Sequence, residues 1–305
     1  MRETTGTGHL AALFTVAVWG TTYISTKVLL NDFTPVEILI FRFVPAIAAL
    51  FLACPRPLRG TTLRQELCFA AAGFFGVCLY YLLENIALTY TFAANAGIII
   101  ATAPFFTALF AFFLPNSGEK PGKLFFVGFA VTMAGIALIN LNGSRFQLNP
   151  LGDVLALLAA VAWAAYSLLA KKIAGFGYPT ILTTRRVFLY GLALILPTLF
   201  FSDFHWEPAR FLRPENAFNL LFLGLGASAL CFVTWNFAVR ILGAVKTCVY
   251  IYAGPVVTVV TATLILKEPF TATLAVGTAL TLLGLILSEG NFSREKPVKE
   301  KRNRI

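Results

Sequence analysis

Two ionisable side chains lie deep inside apolar stretches of the sequence, where a charge is unfavourable. Arg42 lies seven residues after Pro35, and Glu84 lies seven residues before Thr91. At 1.5 Å per helical residue, both lie about 10 Å from the same end of their segments. An unpaired buried charge is hard to sustain, so we expect Arg42 and Glu84 to form an ion pair. Such a pair either fixes the helix register or acts as a gate or substrate contact.

A second group of residues could bind an organic solute through apolar surface with a few polar groups. This combination suits a small amphiphilic molecule such as an amino acid. Trp19 and Tyr23 are four residues apart, so they share one helix face. We expect Glu84 and nine aromatic and amide residues to line a substrate cavity: Trp19, Tyr23, Tyr81, Asn85, Trp163, Tyr166, Trp235, Asn236 and Tyr250. The alternative is that the aromatic residues pack against lipid or form an interfacial belt.

Residues for covalent or metal catalysis are scarce in the sequence. His9 lies at the edge of an apolar segment and His205 lies in a loop, and no HExxH, GxSxG or Walker A motif is present. The five cysteines fit neither a zinc site nor a disulfide framework, so we expect them to be small core residues. We therefore predict no catalytic residue, no metal and no cofactor.

The elements that position these residues must be apolar, because 58% of the 305 residues are hydrophobic and only 12% are charged. Soluble domains carry about 25% charged residues. The composition therefore excludes a soluble, disordered or nucleic-acid-binding protein. A transmembrane helix needs about 20 apolar residues. Ten such segments are predicted, at 9–30, 34–53, 66–89, 92–114, 121–140, 151–172, 180–201, 217–239, 245–266 and 270–288.

Lysine and arginine residues are unevenly divided among the loops. With a cytoplasmic N-terminus, the inner segments hold 16 of these residues and the outer segments hold five. This excess follows the positive-inside rule and accounts for the net charge of +10 without nucleic acid. We predict a multi-pass protein of the cell inner membrane, with both termini cytoplasmic and a basic tail at 291–305.

The two halves of the chain match each other in order. At an offset of 144 residues, Trp19 aligns with Trp163 and Arg42 aligns with Arg186. Each half holds five apolar segments, an odd number, so the second half must start on the opposite side of the membrane. Inverted repeats are typical of secondary transporters, whose substrate site lies between the halves. We predict an all-α integral membrane fold of ten transmembrane helices in two inverted five-helix repeats, 1–145 and 146–290.

The repeat leaves Arg186 without an evident acidic partner, since Glu84 aligns with Trp235 at an offset of 151. We expect Arg186 to contact backbone carbonyls, lipid phosphate or an anionic group of the substrate, or to extend to the membrane interface. Pro104 and Pro255 fall about halfway along matching segments. Proline interrupts a helix, and paired helix breaks mark sites or hinges in transporters.

Glycine residues recur at a spacing of seven in the last segment of each half. The spacing places small residues on one helix face, which allows two backbones to approach closely. We expect a seam between the halves, or between two copies of the chain, formed by Gly128, Gly135, Gly277 and Gly284.

The order of several short motifs resembles the EamA-type branch of the drug/metabolite transporter superfamily, over residues 10–290. The motifs are Trp19-Gly20, Arg42-Phe43, ALTYTFAANA at 87–96, Ala-Pro at 103–104, Gly-Pro at 254–255 and Lys-Glu-Pro at 267–269. The resemblance implies a ten-helix, export-type carrier of small metabolites, amino acids among them, with a central cavity. The first segment lacks the membrane-embedded glutamate that small four-helix relatives use for proton coupling.

The sequence favours a secondary transporter that exports small organic metabolites such as amino acids by alternating access. A membrane-embedded enzyme, a channel and a drug or nucleotide-sugar carrier are the alternatives. The expected partners are a small-molecule substrate and the lipid bilayer, without nucleic acid. The oligomeric state is open between a monomer and a homodimer.

Overall fold

A computed structural model gives the fold as a bundle of helices. It describes residues 5–91, 93–113, 121–141, 149–202, 204, 207–257 and 271–289, and these residues form no β-strand. His205, the end of the predicted ninth segment, the boundary between the predicted repeats and the basic tail lie outside the described residues. The all-helical expectation is confirmed for the described part of the chain.

Eight α-helices are described before residue 149. A π-helical stretch at Phe74–Leu79 joins the fourth to the fifth, so the two form one rod. The helices are α1 (Thr5–Trp19), α2 (Thr22–Leu29), α3 (Pro35–Ala53), α4 (Leu63–Gly73), α5 (Tyr80–Tyr90), α6 (Ala93–Ile100), α7 (Ala103–Phe113) and α8 (Lys123–Leu141).

The part described after residue 149 follows a similar order of long helices, and a π-helical stretch at Phe222–Leu230 again lies inside a long rod. Short 3₁₀ segments occur at Leu196–Phe201 and Tyr250–Ala253. The helices are α9 (Pro150–Ala174), α10 (Thr180–Ile195), α11 (Ala209–Leu212), α12 (Pro214–Leu221), α13 (Cys231–Leu242), α14 (Ala244–Val249) and α15 (Ala272–Glu289).

Six helical rods in the described part are long and apolar enough to cross a membrane. They are Pro35–Ala53, Leu63–Tyr90, Ala96–Phe113, Pro150–Ala174, Thr180–Phe201 and Pro214–Leu242. Shorter apolar helices occupy Lys123–Ile139, Ala244–Val257 and Ala272–Ser288. A multi-pass membrane protein follows from these rods, whereas ten spans in two inverted repeats stay a prediction.

Helix starts follow local sequence signals. Thr34 caps α3 by accepting a hydrogen bond from the Glu37 backbone N–H, and the Glu37 carboxylate accepts one from the Thr34 backbone N–H. Thr62 and Gln65 form the same capping box at α4. Asn149 caps α9 through the Gly152 backbone N–H. These caps fix where the long apolar rods begin.

Two ends of the bundle can be distinguished by their contacts. At the first, called the Asp32 end, the Asn149 side chain donates to the Tyr90 carbonyl oxygen and the Arg213 guanidinium binds Asp32. At the second, called the Glu66 end, the Tyr178 hydroxyl donates to the Gly60 carbonyl oxygen. Helix α9 therefore begins at the Asp32 end and terminates at the Glu66 end.

Helix α1 runs the other way. Gly8, near its first residue, packs against Ile241 and Leu242 at the last turn of α13, where a β-carbon on Gly8 would lie 3.0 Å from both side chains. Arg240 in the same turn lines a cleft with Tyr178, so this turn lies at the Glu66 end.

The four glycines with seven-residue spacing lie between α8 and α15. A β-carbon on Gly284 would lie 2.2 Å from the Thr132 hydroxyl oxygen and 2.6 Å from the Gly128 carbonyl oxygen. A β-carbon on Gly135 would lie 2.7 Å from the Gly277 carbonyl oxygen. Backbone therefore packs on backbone within one chain, which matches the seam between halves rather than the seam between copies.

Candidate functional site

Aromatic rings from three helices meet at the centre of the bundle. The Trp19 ring centroid lies 5.1 Å from that of Trp163 and 5.0 Å from that of Trp235, and those two rings are 5.8 Å apart. Phe232 packs against both Trp19 and Trp163. Trp163 and Tyr166 are in ring contact at 5.0 Å. We call Trp19, Trp163, Trp235, Tyr166 and Phe232 the central cluster.

The three indole N–H groups of the central cluster differ in their hydrogen bonding. Trp19 Nε1 donates to the Ala227 carbonyl oxygen at 2.9 Å. Trp163 Nε1 and Trp235 Nε1 have no partner among the described residues, although their side chains are 3% and 0% exposed. A buried polar group without a partner costs about 1–3 kcal/mol. The closed cluster therefore contains two unsatisfied donors.

Glu84 lies beside this cluster with one carboxylate oxygen unsatisfied. Its side chain is 3% exposed, and Oε2 has no hydrogen-bond partner among the described residues. The Tyr80 side chain adjoins the Glu84 carboxyl group and also adjoins Tyr23 of α2. The Tyr80 ring lies 4.9 Å from the Trp163 ring. Tyr80 thus links Glu84 to the central cluster.

Arg42 is held by neutral groups instead of by Glu84. Its Nε donates to the Ser228 hydroxyl at 2.5 Å, and Nη2 donates to the Tyr81 hydroxyl at 3.0 Å. The guanidinium carbon also lies 4.2 Å from the centroid of the Tyr81 ring. The predicted direct ion pair is not formed: Nε and Nη2 are directed at Ser228 and Tyr81, and no contact between Arg42 and the Glu84 carboxylate within 4 Å is described. Both charges are nevertheless buried in the same region, and Arg42 acts electrostatically on Glu84.

The two predicted asparagines have different neighbours. Asn85 Nδ2 donates to the Pro35 carbonyl oxygen at 3.2 Å, and its Oδ1 has no partner among the described residues. Asn236 Oδ1 accepts from the Tyr166 hydroxyl at 2.8 Å, and Asn236 Nδ2 donates to Thr184 at 3.0 Å. Asn236 therefore connects the central cluster to α10, whereas Asn85 ties α5 to the start of α3.

Tyr250 lies farther along the bundle. Its hydroxyl is hydrogen-bonded to His9, and the two ring centroids are 5.8 Å apart. His9 precedes Trp19 by ten residues on α1, which corresponds to about 15 Å along the helix axis. Tyr250 is therefore placed near the Glu66 end rather than beside the tryptophans.

Arg186 has an acidic partner that the sequence did not suggest. Its Nη2 lies 2.8 Å from Glu66 Oε1 on α4, and the Tyr190 hydroxyl donates to Glu66 Oε2 at 2.6 Å. The expectation that Arg186 lacks an acidic partner is therefore wrong. The neighbouring Arg185 makes the carbonyl contacts, donating to the backbone oxygens of Cys54 and Arg56. These contacts tie α10 to the chain at the Glu66 end.

An ionic group closes the Asp32 end. Arg210 forms a bidentate pair with Glu37 at 3.0 and 3.1 Å, and Glu37 is 0% exposed. Arg213 pairs with Asp32 at 2.7 Å. Hydrogen bonds from Asn216 and Arg213 lower the pKa of Asp32, as do the positive charges of Arg213 and Arg210. The hydrogen bond with Glu37 raises the pKa of Arg210, so the guanidinium stays charged at neutral pH.

The predicted prolines lie directly after helix interruptions. Helix α6 ends at Ile100 and α7 begins at Ala103, so Pro104 is the second residue of α7. Pro255 follows the 3₁₀ segment Tyr250–Ala253, in a helical turn at 254–257. Proline is tolerated in a first helical turn, where its missing N–H has no helical partner.

A cleft at the Glu66 end leads towards the central cluster. It lies between α9, α10 and α13, and Tyr166 and Asn236 form part of its lining. Further lining residues are Ala170, Ile173, Ala174, Tyr178, Thr180, Thr183, Val187 and Arg240. Tyr166 belongs to the central cluster and contacts Trp163. The cleft therefore reaches the edge of the central cluster.

Several residues of the site escaped the sequence reasoning. Ser228, Tyr80 and Phe232 lie in ordinary apolar runs, and nothing in their spacing distinguishes them. Gly76 is another: a β-carbon there would lie 2.3 Å from the Tyr166 ring, so this position must stay small for the ring to occupy its place. No group of three or more metal-ligating His, Cys, Asp or Glu side chains occurs among the described residues.

The long apolar rods and the buried aromatic centre define a multi-pass helical membrane protein. The model of the EamA-like transporter family matches the chain twice, over residues 6–141 and 150–289. The chain belongs to the EamA-like transporter family.

Similar proteins carry transporter names. An "Uncharacterized transporter" of Archaeoglobus fulgidus is 29% identical over 92% of this chain and 96% of its own length. The "Probable terminal-alkyne amino-acid exporter" of Streptantibioticus cattleyicolor is 28% identical over 91% of each chain. A solved crystal structure superposes with a TM-score of 0.71 at 22% identity, covering 92% of this chain and 97% of the other. This last likeness supports the fold alone.

Proposed function

We propose that the protein is a secondary transporter that exports small organic metabolites such as amino acids by alternating access. The observation that carries the proposal is the central cluster. Trp19 comes from the first family match, while Trp163 and Trp235 come from the second, and the cluster retains unsatisfied polar groups. An aromatic centre with a few polar groups, buried between two halves, suits a carrier site.

The proposal includes two five-helix repeats of opposite orientation, 1–145 and 146–290. The two family matches support a duplicated chain. Opposite directions of α1 and α9 support an inverted second copy. The π-helical stretch inside each of the two long rods supports the equivalence of those rods. The two rods with π-helical stretches also have equivalent neighbours. Gly73 of the rod Leu63–Tyr90 packs against α10, and Gly224 of the rod Pro214–Leu242 packs against α3.

Alternating access requires that each end of the bundle closes in turn. Contacts between the proposed halves exist at both ends: Glu37 with Arg210 at the Asp32 end, and Glu66 with Arg186 at the Glu66 end. In this proposal each ion pair breaks when its end opens to admit or release substrate. The cleft beside Tyr166 is the route from the Glu66 end to the central cluster.

The charge bias of the loops supports a cytoplasmic Glu66 end and a location in the cell inner membrane. The name of the relative from Streptantibioticus cattleyicolor supports amino acids as the substrate class and export as the direction. Trp19, Tyr23, Trp163, Tyr166, Trp235, Asn236 and Glu84 then line the substrate path. Asn85 and Tyr250, which the structure places beside Pro35 and His9, flank that path.

Transport in liposomes tests this function. Purified protein in liposomes should release labelled aromatic or neutral amino acids down their gradient, and Trp163→Ala should lower the initial rate about tenfold or more because it opens the central cluster. Phe201→Ala is the matched control, since Phe201 is 92% exposed and has no described ring contact with the central cluster. Equal rates in the wild type and Trp163→Ala would contradict the proposal.

A further inference from the structure

Three buried polar atoms at the centre of the molecule lack partners among the described residues, and they are of complementary kinds. Glu84 Oε2 is an acceptor, while Trp163 Nε1 and Trp235 Nε1 are donors. Their side chains are 3%, 3% and 0% exposed. Nearly all buried polar groups in native proteins have partners, so a concentration of unsatisfied groups calls for an explanation.

These atoms belong to one continuous wall of side chains. Tyr80 adjoins Glu84 and packs against Trp163 at 4.9 Å, and Trp163 packs against Trp235 at 5.8 Å. The acceptor is therefore linked to Trp163 through Tyr80, and the second donor belongs to a ring in direct contact with Trp163. A ligand seated on this wall would meet a negative group and two N–H groups together.

We infer that this wall recognises its ligand as a zwitterion. Glu84 receives the ammonium group, and the indole N–H groups of Trp163 and Trp235 receive the carboxylate. The inference rests on the proposed transport function and assigns the chemical groups by which the same site selects a substrate.

The charge balance of the region supports a ligand without net charge. Arg42 is 2% exposed and Glu84 is 3% exposed, so the buried charges already sum to zero. Arg42 Nε and Nη2 donate to Ser228 and Tyr81, and no hydrogen bond from Arg42 reaches Glu84 among the described residues, so Arg42 balances the charge of Glu84 without occupying its free oxygen. A simple amine or a simple carboxylate would leave one uncompensated charge in a medium of low dielectric constant. A zwitterion leaves none.

One aromatic ring adds to the environment for a cation. Tyr80 lies one helical turn before Glu84 on α5, whereas the neighbouring Tyr81 ring already has the Arg42 guanidinium carbon 4.2 Å from its centroid. The face of a ring such as that of Tyr80 attracts an ammonium group, and the attraction strengthens when water is excluded. The carboxylate of the ligand is drawn to the indole side, where donors are free and no acidic side chain is described.

Binding of three related compounds to purified protein in detergent tests the inference. The probes are phenylalanine, 2-phenylethylamine, which lacks the carboxylate, and 3-phenylpropanoate, which lacks the ammonium group. Titration calorimetry at neutral pH should show that the wild type prefers phenylalanine over both analogues by about tenfold or more. Glu84→Gln should remove most of the preference over 3-phenylpropanoate, whereas Trp163→Phe and Trp235→Phe should reduce the preference over 2-phenylethylamine.

Matched variants separate recognition from general damage. Trp19→Phe removes an indole N–H that is already bound to Ala227, so it should weaken all three probes by a similar factor. Glu215→Gln changes an exposed glutamate and should leave the preferences unchanged. If Glu84→Gln weakens phenylalanine and 3-phenylpropanoate equally, the unsatisfied atoms serve only to hold water and the inference is wrong.

The inference and the transport function can fail separately. A wild-type protein that does not bind phenylalanine, or that binds either analogue as tightly, contradicts zwitterion recognition. Flux of any other labelled metabolite through the same liposomes would then still support a carrier. Absence of flux for every metabolite tested would contradict the carrier itself.

Discussion

Arg42 and Glu84 are almost fully buried, yet they form no direct ion pair. Arg42 donates to Ser228 and Tyr81, while Glu84 adjoins Tyr80. A buried charge is tolerated when hydrogen bonds and an opposite charge nearby offset its desolvation. The two residues therefore depend on each other electrostatically without direct contact, and the loss of one leaves the other uncompensated.

Arg42→Leu is accordingly expected to destabilise the protein by about 3 kcal/mol. The change removes the positive charge that offsets the buried Glu84 carboxylate, and it leaves the Ser228 and Tyr81 hydroxyls without their partner. The double variant Arg42→Leu/Glu84→Leu should be less destabilised, since no net charge remains buried. Thermal unfolding midpoints in detergent measure both. Arg213→Leu is the control, because Arg213 is 65% exposed and its removal should have a small effect. A double variant less stable than Arg42→Leu would contradict the electrostatic dependence.

The burial of Arg42 and Glu84 could be predicted from the sequence, because counting residues from a helix end gives depth. The hydrogen-bond partners of these two residues could not be predicted from the sequence. A serine such as Ser228 in an apolar run carries no signal that it faces a cation 186 positions away. The Glu66 partner of Arg186 was missed for a related reason: Glu66 lies on the first turn of a different helix, and the repeat alignment points to Trp235.

Helix packing between α8 and α15 rests on glycine. Gly128 and Gly284 approach each other closely enough that a β-carbon on either would lie within about 2.7 Å of the facing backbone. The seven-residue spacing predicted a close seam, and the structure supplies the partner helix. The π-helical stretches at Phe74–Leu79 and Phe222–Leu230 could not be predicted, because an extra residue in a helical turn leaves no mark in an apolar sequence.

Gly284→Ala is predicted to lower stability by about 1–3 kcal/mol, since the added methyl group would lie 2.2 Å from the Thr132 hydroxyl and 2.5 Å from the Thr132 backbone nitrogen. Gly97→Ala is the matched control: no atom lies within 4 Å of its β-carbon position and its φ is not positive. The control should be neutral or slightly stabilising, because alanine favours a helix. Equal midpoints for the two variants in detergent would show that α8 and α15 are not in close contact.

At the scale of the whole molecule, ion pairs between residues far apart in the chain lie at both ends of the bundle, Glu37 with Arg210 and Glu66 with Arg186, and the central cluster lies between them. The bounds of some apolar segments were predicted to within a few residues, as at 151–172 for the observed Pro150–Ala174, since membrane thickness sets helix length, whereas the predicted segment 9–30 is two helices, Thr5–Trp19 and Thr22–Leu29. The way the halves face each other depends on side-chain contacts such as Arg210 with Glu37, which periodicity does not encode.

Counterflow tests the central claim most directly. Liposomes that contain the protein are loaded with an unlabelled amino acid and diluted into a trace of the same labelled compound, without any ion gradient. A carrier whose centre opens to one end at a time must exchange outgoing for incoming substrate, so the label should accumulate transiently above its equilibrium level. Label that rises only to equilibrium, with no overshoot, would mean a continuous pore and would contradict alternating access.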